Sequence, residues 1–499
     1  MTERWKHLKS GTDIRGVASE DGIAAVTLTR NVGISVGSAF VRWLSERLDK
    51  PAEALRVAVG RDSRVSGPAL MKAMMGGMAR EPVEVLDCGL CTTPAMFMTT
   101  VLAGCDGAVM VTASHLPWQR NGYKFFTRDG GLDGADIEAI LEMASATEPM
   151  AWPQNAAPYA FLDVYTGFLM DMARASLSGE KPLRGLHVVV DAGNGAGGFY
   201  AAMLEELGAD ITGSQFLEPN GRFPNHIPNP EDEAAMQSLS EAVLGVGADM
   251  GVLFDADCDR AALVDQAGRE INRNRLIALM ADVLLAERPG STIVTDSVTS
   301  AGLNQFIARR GGTLHRFKRG YRNVIGEALR LNAEGVDCPL AIETSGHAAL
   351  RENRFLDDGM YLVTRLIIEA SRRRRAGEDL FAVLGDLVEP CRSEEIRLPI
   401  WHRDFHAIAE AGIYAVVKTM ETIPGWCVDE NNREGVRVLC GGEENWMLLR
   451  MSVHDPLLVL NAETGSEQSG QGIRDMLLVV YQVLKACPGI DLSALKARL

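Results

Sequence analysis

The sequence has no run of about 18 consecutive apolar residues, so no membrane-spanning helix is expected. The amino terminus, "MTERWKHLKSGTD", lacks an apolar h-region and does not read as a secretory signal. Cysteine is sparse. Nine are scattered over 499 residues, too dispersed for a disulfide framework, which points to a reducing compartment with the cytoplasm as the expected location. Positive charge is also in deficit: a net charge of −16 argues against a nucleic-acid or polyanion surface. A phosphorylated small molecule would then have to meet local cations set in an acidic background. "CGLC" (88–91) has no second pair of the same spacing, so no zinc site is expected, and Thr92, Thr93 and Pro94 after it favour a loop. "DAGNGAGG" (191–198) lacks both the GxGxxG and the GK[ST] fingerprints, and its glycines predict a tight strand-to-helix turn.

What is present is the mix of a soluble globular protein, 46% apolar and 23% charged residues, long enough for three or four domains of ~150 residues. One order recurs in 55–78, 186–211 and 291–317: an apolar strand, a turn rich in Gly, Asp or Ser, then a helix. It predicts an α/β fold with three similar α/β domains, mixed and mainly parallel sheets, and a C-terminal α+β domain signalled by the short strands "GVRVLC" and "MLLRMSV". The expected boundaries are 1–158, 159–288, 289–395 and 396–499, the first set by the proline-bearing linker "EPMAWPQNAAPYA". The basic run "SRRRRAG" (371–377) reads as the end of an amphipathic helix capped by Gly377.

Four stretches carry chemistry. "GVLFDADCDRAALVD" (251–265) runs an apolar strand into Asp255, Asp257 and Asp259; at strand spacing these share one face. Carboxylates that close repel unless protonated or bridged by a cation, and hard oxygen ligands suit Mg²⁺; a solvated acidic turn is the other reading. Arg260 follows, where a guanidinium can grip phosphate. "PLAIETSGHAALRENRFLDDGM" (339–360) places Glu343, Ser345 and His347 on one tight loop, a set suited to sugar hydroxyls or an ordinary Ser-Gly turn. "ENWMLLRMSVHDP" (444–456) sets Arg450, Ser452 and His454 at alternate positions, fit for a phosphate dianion or for an exposed polar strand. A fourth stretch, "VTASHLPWQRNGYKFF" (111–126), places Ser114 beside His115 and ten residues before Lys124. Alone it fits a nucleophile, a phosphate carrier or a turn.

Taken together these segments resemble the α-D-phosphohexomutases, the phosphoglucomutase/phosphomannomutase family, over nearly the whole chain and in the right order. "GTDIRG" (11–16) is similar to the family's arginine loop and 111–126 to its TASHNP…NGxK serine loop. "DADCDR" (255–260) is similar to the DGDxDR metal loop, "ETSGH" (343–347) to the sugar-recognition loop, and "RMSVHDP" (450–456) to the RxSxTxP phosphate loop. Weaker echoes are "VAVGRDSR" (57–64) and "NGRFPNHIPNPED" (220–232).

The resemblance implies four domains around a central cleft and a Mg²⁺-dependent interconversion of hexose 1- and 6-phosphates. Ser114 would carry the phosphoryl group, and a hexose 1,6-bisphosphate would be the intermediate and activator. Mg²⁺ would bind Asp255, Asp257, Asp259 and Ser114, while Arg15, Arg260 and Lys124 would surround the transferring group. Lys124 and His347 are the acid/base candidates. Lys318, Glu343, Ser345, Arg450, Ser452 and His454 would bind the phosphosugar. Departures from the pattern are Leu116, Trp118, Ala256, His454, Asp455 and Asn461; the last replaces an arginine common in the family. These leave two other readings open: a non-catalytic phosphosugar-binding homologue and a serine-dependent sugar phosphatase. Neither the preferred hexose nor the oligomeric state follows from the sequence.

Overall fold

The strand Gly107–Val111 is buried along its whole length, as expected of a central strand covered on both faces. It lies parallel to Arg56–Arg61, which pairs in parallel with Glu84–Leu90, and antiparallel to Arg120–Thr127. Asp13–Val17 adds on the far side of Arg120–Thr127, with Arg15 opposite Gly122. This register brings the arginine loop and the serine-lysine segment onto adjacent strands. The computed structural model describes residues 3–20, 24–153, 156–452, 455–465 and 470–499.

Contacts divide the chain into two units, Met1–Asn272 with Ser345–Leu380, and Arg273–Thr344 with Phe381–Leu499. The first holds the mixed sheet above, flanked by helices Arg30–Leu48, Gly67–Met78 and Gly134–Ser145. These helices have local reasons to start where they do. Thr29 and Asp133 accept from backbone N–H groups of the first turns, and Asp133 and Asp136 complete a capping box. Their inner faces bury Val36, Phe40, Met74 and Ile140 against Val57, Val109 and Phe125, at about 1.5–3 kcal/mol per fully buried large side chain.

A second sheet in this unit runs Glu270–Ile271, Ala261–Asp265, Met250–Phe254, Val188–Asp191, with the last two strands parallel. "DAGNGAGG" closes the turn from Val188–Asp191 into helix Phe199–Glu206, as expected. The helix Gly359–Arg375 ends in the basic run, and Gly377 follows at φ +77°. Its arginines are structural: Arg373 binds Glu369, Arg374 binds Asp249, and Arg375 donates to the carbonyls of Leu177 and Pro182.

In the second unit Thr313–Arg316, Thr292–Thr295 and Leu340–Ile342 form parallel pairs. A separate antiparallel sheet follows the order Arg392–Pro399, Leu457–Thr464, Trp446–Met451, Val436–Cys440, Trp426–Val428. Helices Phe405–Met420 and Gly470–Leu484 pack in the same core. This is the α+β portion expected from the sequence. Among the described residues no helix is long and apolar enough to cross a membrane.

Candidate active site

Ser114 sits just past the end of strand Gly107–Val111 with φ +52°, a left-handed conformation that is uncommon for a residue with a Cβ. Its side chain is buried and donates to Asp255 Oδ2 at 2.7 Å. Arg260 Nη2 donates to the same serine oxygen at 3.0 Å, and Arg260 Nε and Nη2 reach Asp255 Oδ2 at 3.0 and 2.9 Å. The serine hydroxyl therefore stands between a carboxylate and a guanidinium from one turn, 141 and 146 residues further along the chain.

The three aspartates converge, though not by strand alternation. The strand ends at Phe254, and Asp255 to Asp259 form a turn in which Cys258 takes φ +66°. The turn, not the pleat, brings Asp255, Asp257 and Asp259 together, with one oxygen of each within 4.8 Å of the others. All three are buried. Asp257 Oδ1 and Asp259 Oδ1 accept no hydrogen bond, an expensive arrangement for buried carboxylate oxygens and one that a divalent cation would relieve. The donor set, all oxygen and three negative charges, fits a hard cation such as Mg²⁺.

Lys124 is 5% exposed and points into this turn, 2.9 Å from Asp257 Oδ2 and in contact with Asp259. Burial alone would lower its pKa; Asp257 and Asp259 outweigh that and hold it well above the ordinary lysine value. Burial and the neighbouring Asp259 push Asp255 upward. Asp259 goes the other way: burial opposes ionisation, but Lys124, His347 and Arg260 pull its carboxyl below the usual range. Thr93 completes the turn's anchoring, donating its hydroxyl to Asp257 Oδ2 and its N–H to the Asp257 carbonyl at 2.8 Å.

His347 lies beside this group, its Nδ1 2.5 Å from Asp357 Oδ2 and 4.0 Å from Asp259 Oδ1. Burial favours the neutral ring, yet Asp357 and then Asp259 raise its pKa to about 9. Gly346 lets the loop reach this position: its φ is +94°, and a Cβ there would sit 2.7 Å from the Ala261 carbonyl. Ser345 is buried at the start of the same segment. Arg15 is on the neighbouring strand but spends its head group on Asp13, at 3.1 and 2.7 Å; it reaches Asp257 and Asp259 electrostatically and not by hydrogen bonds.

The remaining candidates belong to the second unit, whose boundary falls inside the "ETSGH" loop between Thr344 and Ser345. Glu343 is buried and accepts the Gly320 N–H at 2.5 Å, which ties it to the loop carrying exposed Lys318. Arg450 is the penultimate residue of the strand Trp446–Met451, with Nε 3.9 Å from Glu434 Oε2; Glu434 also accepts from Ser297 and from the Arg319 N–H. Lys318, Glu343 and Arg450 are thus linked through one loop. Ser452 accepts from the N–H of exposed Asp455 at 3.3 Å. Asn461 Nδ2 donates to Glu395, which also faces Arg319 Nη1 at 3.6 Å. His454 lies outside the described residues.

Reasoning from the sequence missed three contributors to this site. Thr93 was hidden in what read as an incidental loop after "CGLC"; the Thr92 cap and Pro94 were the available signal of a helix start. Asp357 carries no local pattern that marks it, and Arg64 closes the weak family echo "VAVGRDSR" (57–64), which gave it no role. The two "CGLC" thiols are buried, which pushes both upward, Cys91 to about 12.

Comparison with known proteins agrees with this geometry. Residues 7–150, 165–268 and 272–389 match, in order, phosphoglucomutase/phosphomannomutase alpha/beta/alpha domains I, II and III. The chain is 32% identical over 488 residues to the phosphomannomutase/phosphoglucomutase of Pseudomonas syringae pv. tomato, covering 96% of each. Identity to the protein of the same name in Pseudomonas putida is 31% over 469 residues, 92% of this chain and 95% of that one. The crystal structure of a phosphoglucomutase/phosphomannomutase family protein from Burkholderia thailandensis aligns with a TM-score of 0.80 at 27% identity, over 98% of this chain and all of that one. The chain belongs to the phosphoglucomutase/phosphomannomutase family of α-D-phosphohexomutases, isomerases that act as intramolecular phosphotransferases.

Proposed function

We propose that this protein interconverts the 1- and 6-phosphates of a hexose through a phosphorylated Ser114 and a hexose 1,6-bisphosphate. The observation that carries the reading is the serine hydroxyl held between Asp255 Oδ2 at 2.7 Å and Arg260 Nη2 at 3.0 Å, inside a buried acidic turn. Phosphoryl transfer needs alignment and charge neutralisation more than covalent help from the protein.

In the forward step the bond between phosphorus and Ser114 Oγ breaks as a substrate hydroxyl oxygen bonds to phosphorus. The proton lost by that hydroxyl is matched by the one Ser114 Oγ takes up as it departs as a free hydroxyl, and the bisphosphate returns its other phosphoryl group to the serine by the reverse exchange. Arg260 offsets charge on the equatorial oxygens, with Arg15 contributing at longer range. Lys124 holds or moves the proton of the reacting hydroxyl, and His347, kept cationic by Asp357, is suited to donating one. Asp255, Asp257 and Asp259, with Ser114, would hold Mg²⁺, which supplies Lewis-acid stabilisation of the transferring group. Lys318, Glu343, Ser345, Arg450, Ser452 and His454 are the proposed phosphosugar-binding residues, and the cytoplasm is the proposed location.

A coupled assay across glucose, mannose, glucosamine and N-acetylglucosamine phosphates, with catalytic hexose 1,6-bisphosphate and Mg²⁺, tests the proposal. Isomerisation without release of inorganic phosphate is the expected result. Phosphate release matching substrate loss would make the protein a phosphatase, and no turnover of any of these would support a binding protein.

A further inference from the structure

Arg64, which follows strand Arg56–Arg61, has no exposure to solvent and hydrogen-bonds none of the three aspartates, yet its side chain holds four carbonyls of the serine loop. A guanidinium has five N–H donors. Arg64 Nε donates to Asp62 Oδ2 at 3.1 Å; Nη1 donates to the carbonyls of Pro117 and Arg120 at 2.8 and 3.0 Å; Nη2 donates to those of Leu116, at 2.6 Å, and Ser114. All five are spent inside the protein, which leaves none for a substrate phosphate. Asp62 closes the circuit from the other side. Its Oδ2 accepts the Thr112 hydroxyl at 2.6 Å, and Thr112 Oγ1 in turn accepts the Ser114 N–H at 2.9 Å.

Ser114 is therefore held at both of its backbone groups, its carbonyl by Arg64 directly and its N–H by the Thr112 hydroxyl that Asp62 fixes, at a φ of +52° that a serine does not adopt cheaply. The rest of the loop is held by the same planar fork, a geometry that the compact ammonium of lysine cannot reproduce. We propose that Arg64, oriented by Asp62, is a positioning residue for the mutase reaction: it fixes the left-handed backbone of Ser114 and so sets where the hydroxyl stands relative to Asp255. The inference rests on the reading of Ser114 as the phosphate carrier.

Two variants test it in the full-length protein, Arg64→Lys and Thr112→Val, the second removing only the hydroxyl that links Asp62 to the Ser114 N–H. Each is assayed well below its own melting temperature, with Ser114 phosphorylation measured by intact mass after incubation with glucose 1,6-bisphosphate. The expected result is a fall in kcat of about 100-fold, with KM within about threefold of wild type and slower phosphate uptake by Ser114. A rise in KM at unchanged kcat would overturn the proposal in favour of a substrate-binding role, and wild-type phosphorylation and turnover in folded variants would overturn it outright. If Arg64→Lys does not fold, Thr112→Val decides alone. Failure of the underlying reading looks different: wild-type protein itself would then take up no phosphate on Ser114.

Discussion

Lys124 Nζ lies 2.9 Å from Asp257 Oδ2 and also contacts Asp259, so a single ammonium occupies the mouth of the acidic turn 133 and 135 residues away. A buried cation paired with two carboxylates is well placed to exchange a proton with a hydroxyl approaching Ser114. Lys124→Met should lower kcat by about 100- to 10,000-fold, the usual range for a lost acid/base group, while Ser114 still accepts label slowly. Wild-type kcat in that variant, read by the coupled assay, would remove Lys124 from the chemistry.

The unbonded oxygens of Asp257 and Asp259 predict a divalent-ion site independent of turnover. Calorimetric titration of chelator-treated protein should show one Mg²⁺ site, weakened at least about 10- to 100-fold in Asp257→Asn, no less than loss of an outer-shell partner costs. Chelation should abolish isomerisation, and added Mg²⁺ should restore it. Unchanged Mg²⁺ affinity in Asp257→Asn would contradict the assignment.

Gly122, in strand Arg120–Thr127, lies too close to the backbone on either side of it for a Cβ to fit. A Cβ there would lie 2.4 Å from the Ile14 carbonyl oxygen and 2.8 Å from that of Thr112, both backbone atoms. Gly122→Ala should cost about 1–3 kcal/mol in urea unfolding and displace Lys124, two residues on, from the acidic turn. Full stability would show that the strands separate easily.

Asp358, next in the chain to Asp357, supplies a pH test that does not involve the three aspartates of the acidic turn. It is fully buried, caps helix Gly359–Arg375 through the Tyr361 N–H at 2.8 Å, and meets Tyr165 Oη at 2.7 and 2.8 Å. Burial raises its pKa to about 7, against about 3.9 in an unfolded chain. The folded state thus binds the extra proton between those values, so this group's contribution to stability is complete below about pH 4 and is lost as pH rises through about 7. The melting temperature of wild type should fall relative to Asp358→Asn across that window and run parallel above it. Parallel curves throughout would show that Asp358 ionises normally.

The parts of the site readable from the sequence are those whose chemistry is written in a few adjacent residues. Ser114, Lys124 and the Asp255–Asp259 turn each sit in such a segment, and the fold brings all of them together in one unit. The strand–turn–helix repeats and the basic helix end were equally local, and both are present. What local pattern could not carry was partnership at a distance. Arg64 acquires its role only because carbonyls 50 to 56 residues away face it, and Thr93 only because Asp257 lies 164 residues on. The aspartates converged for a reason that periodicity misstates, since a turn with Cys258 at positive φ replaces the expected strand. The departure at Asn461 also takes on meaning only in three dimensions, where its side chain donates to Glu395.

The most direct measurement is the phosphorylation state of Ser114. Intact-mass and peptide analysis after incubation with glucose 1,6-bisphosphate and Mg²⁺ should place one phosphate on the peptide containing Ser114, absent in Ser114→Ala and discharged by added hexose 6-phosphate. A protein that isomerises hexose phosphates at full rate with Ser114 never labelled, or with Ser114→Ala active, would contradict the account.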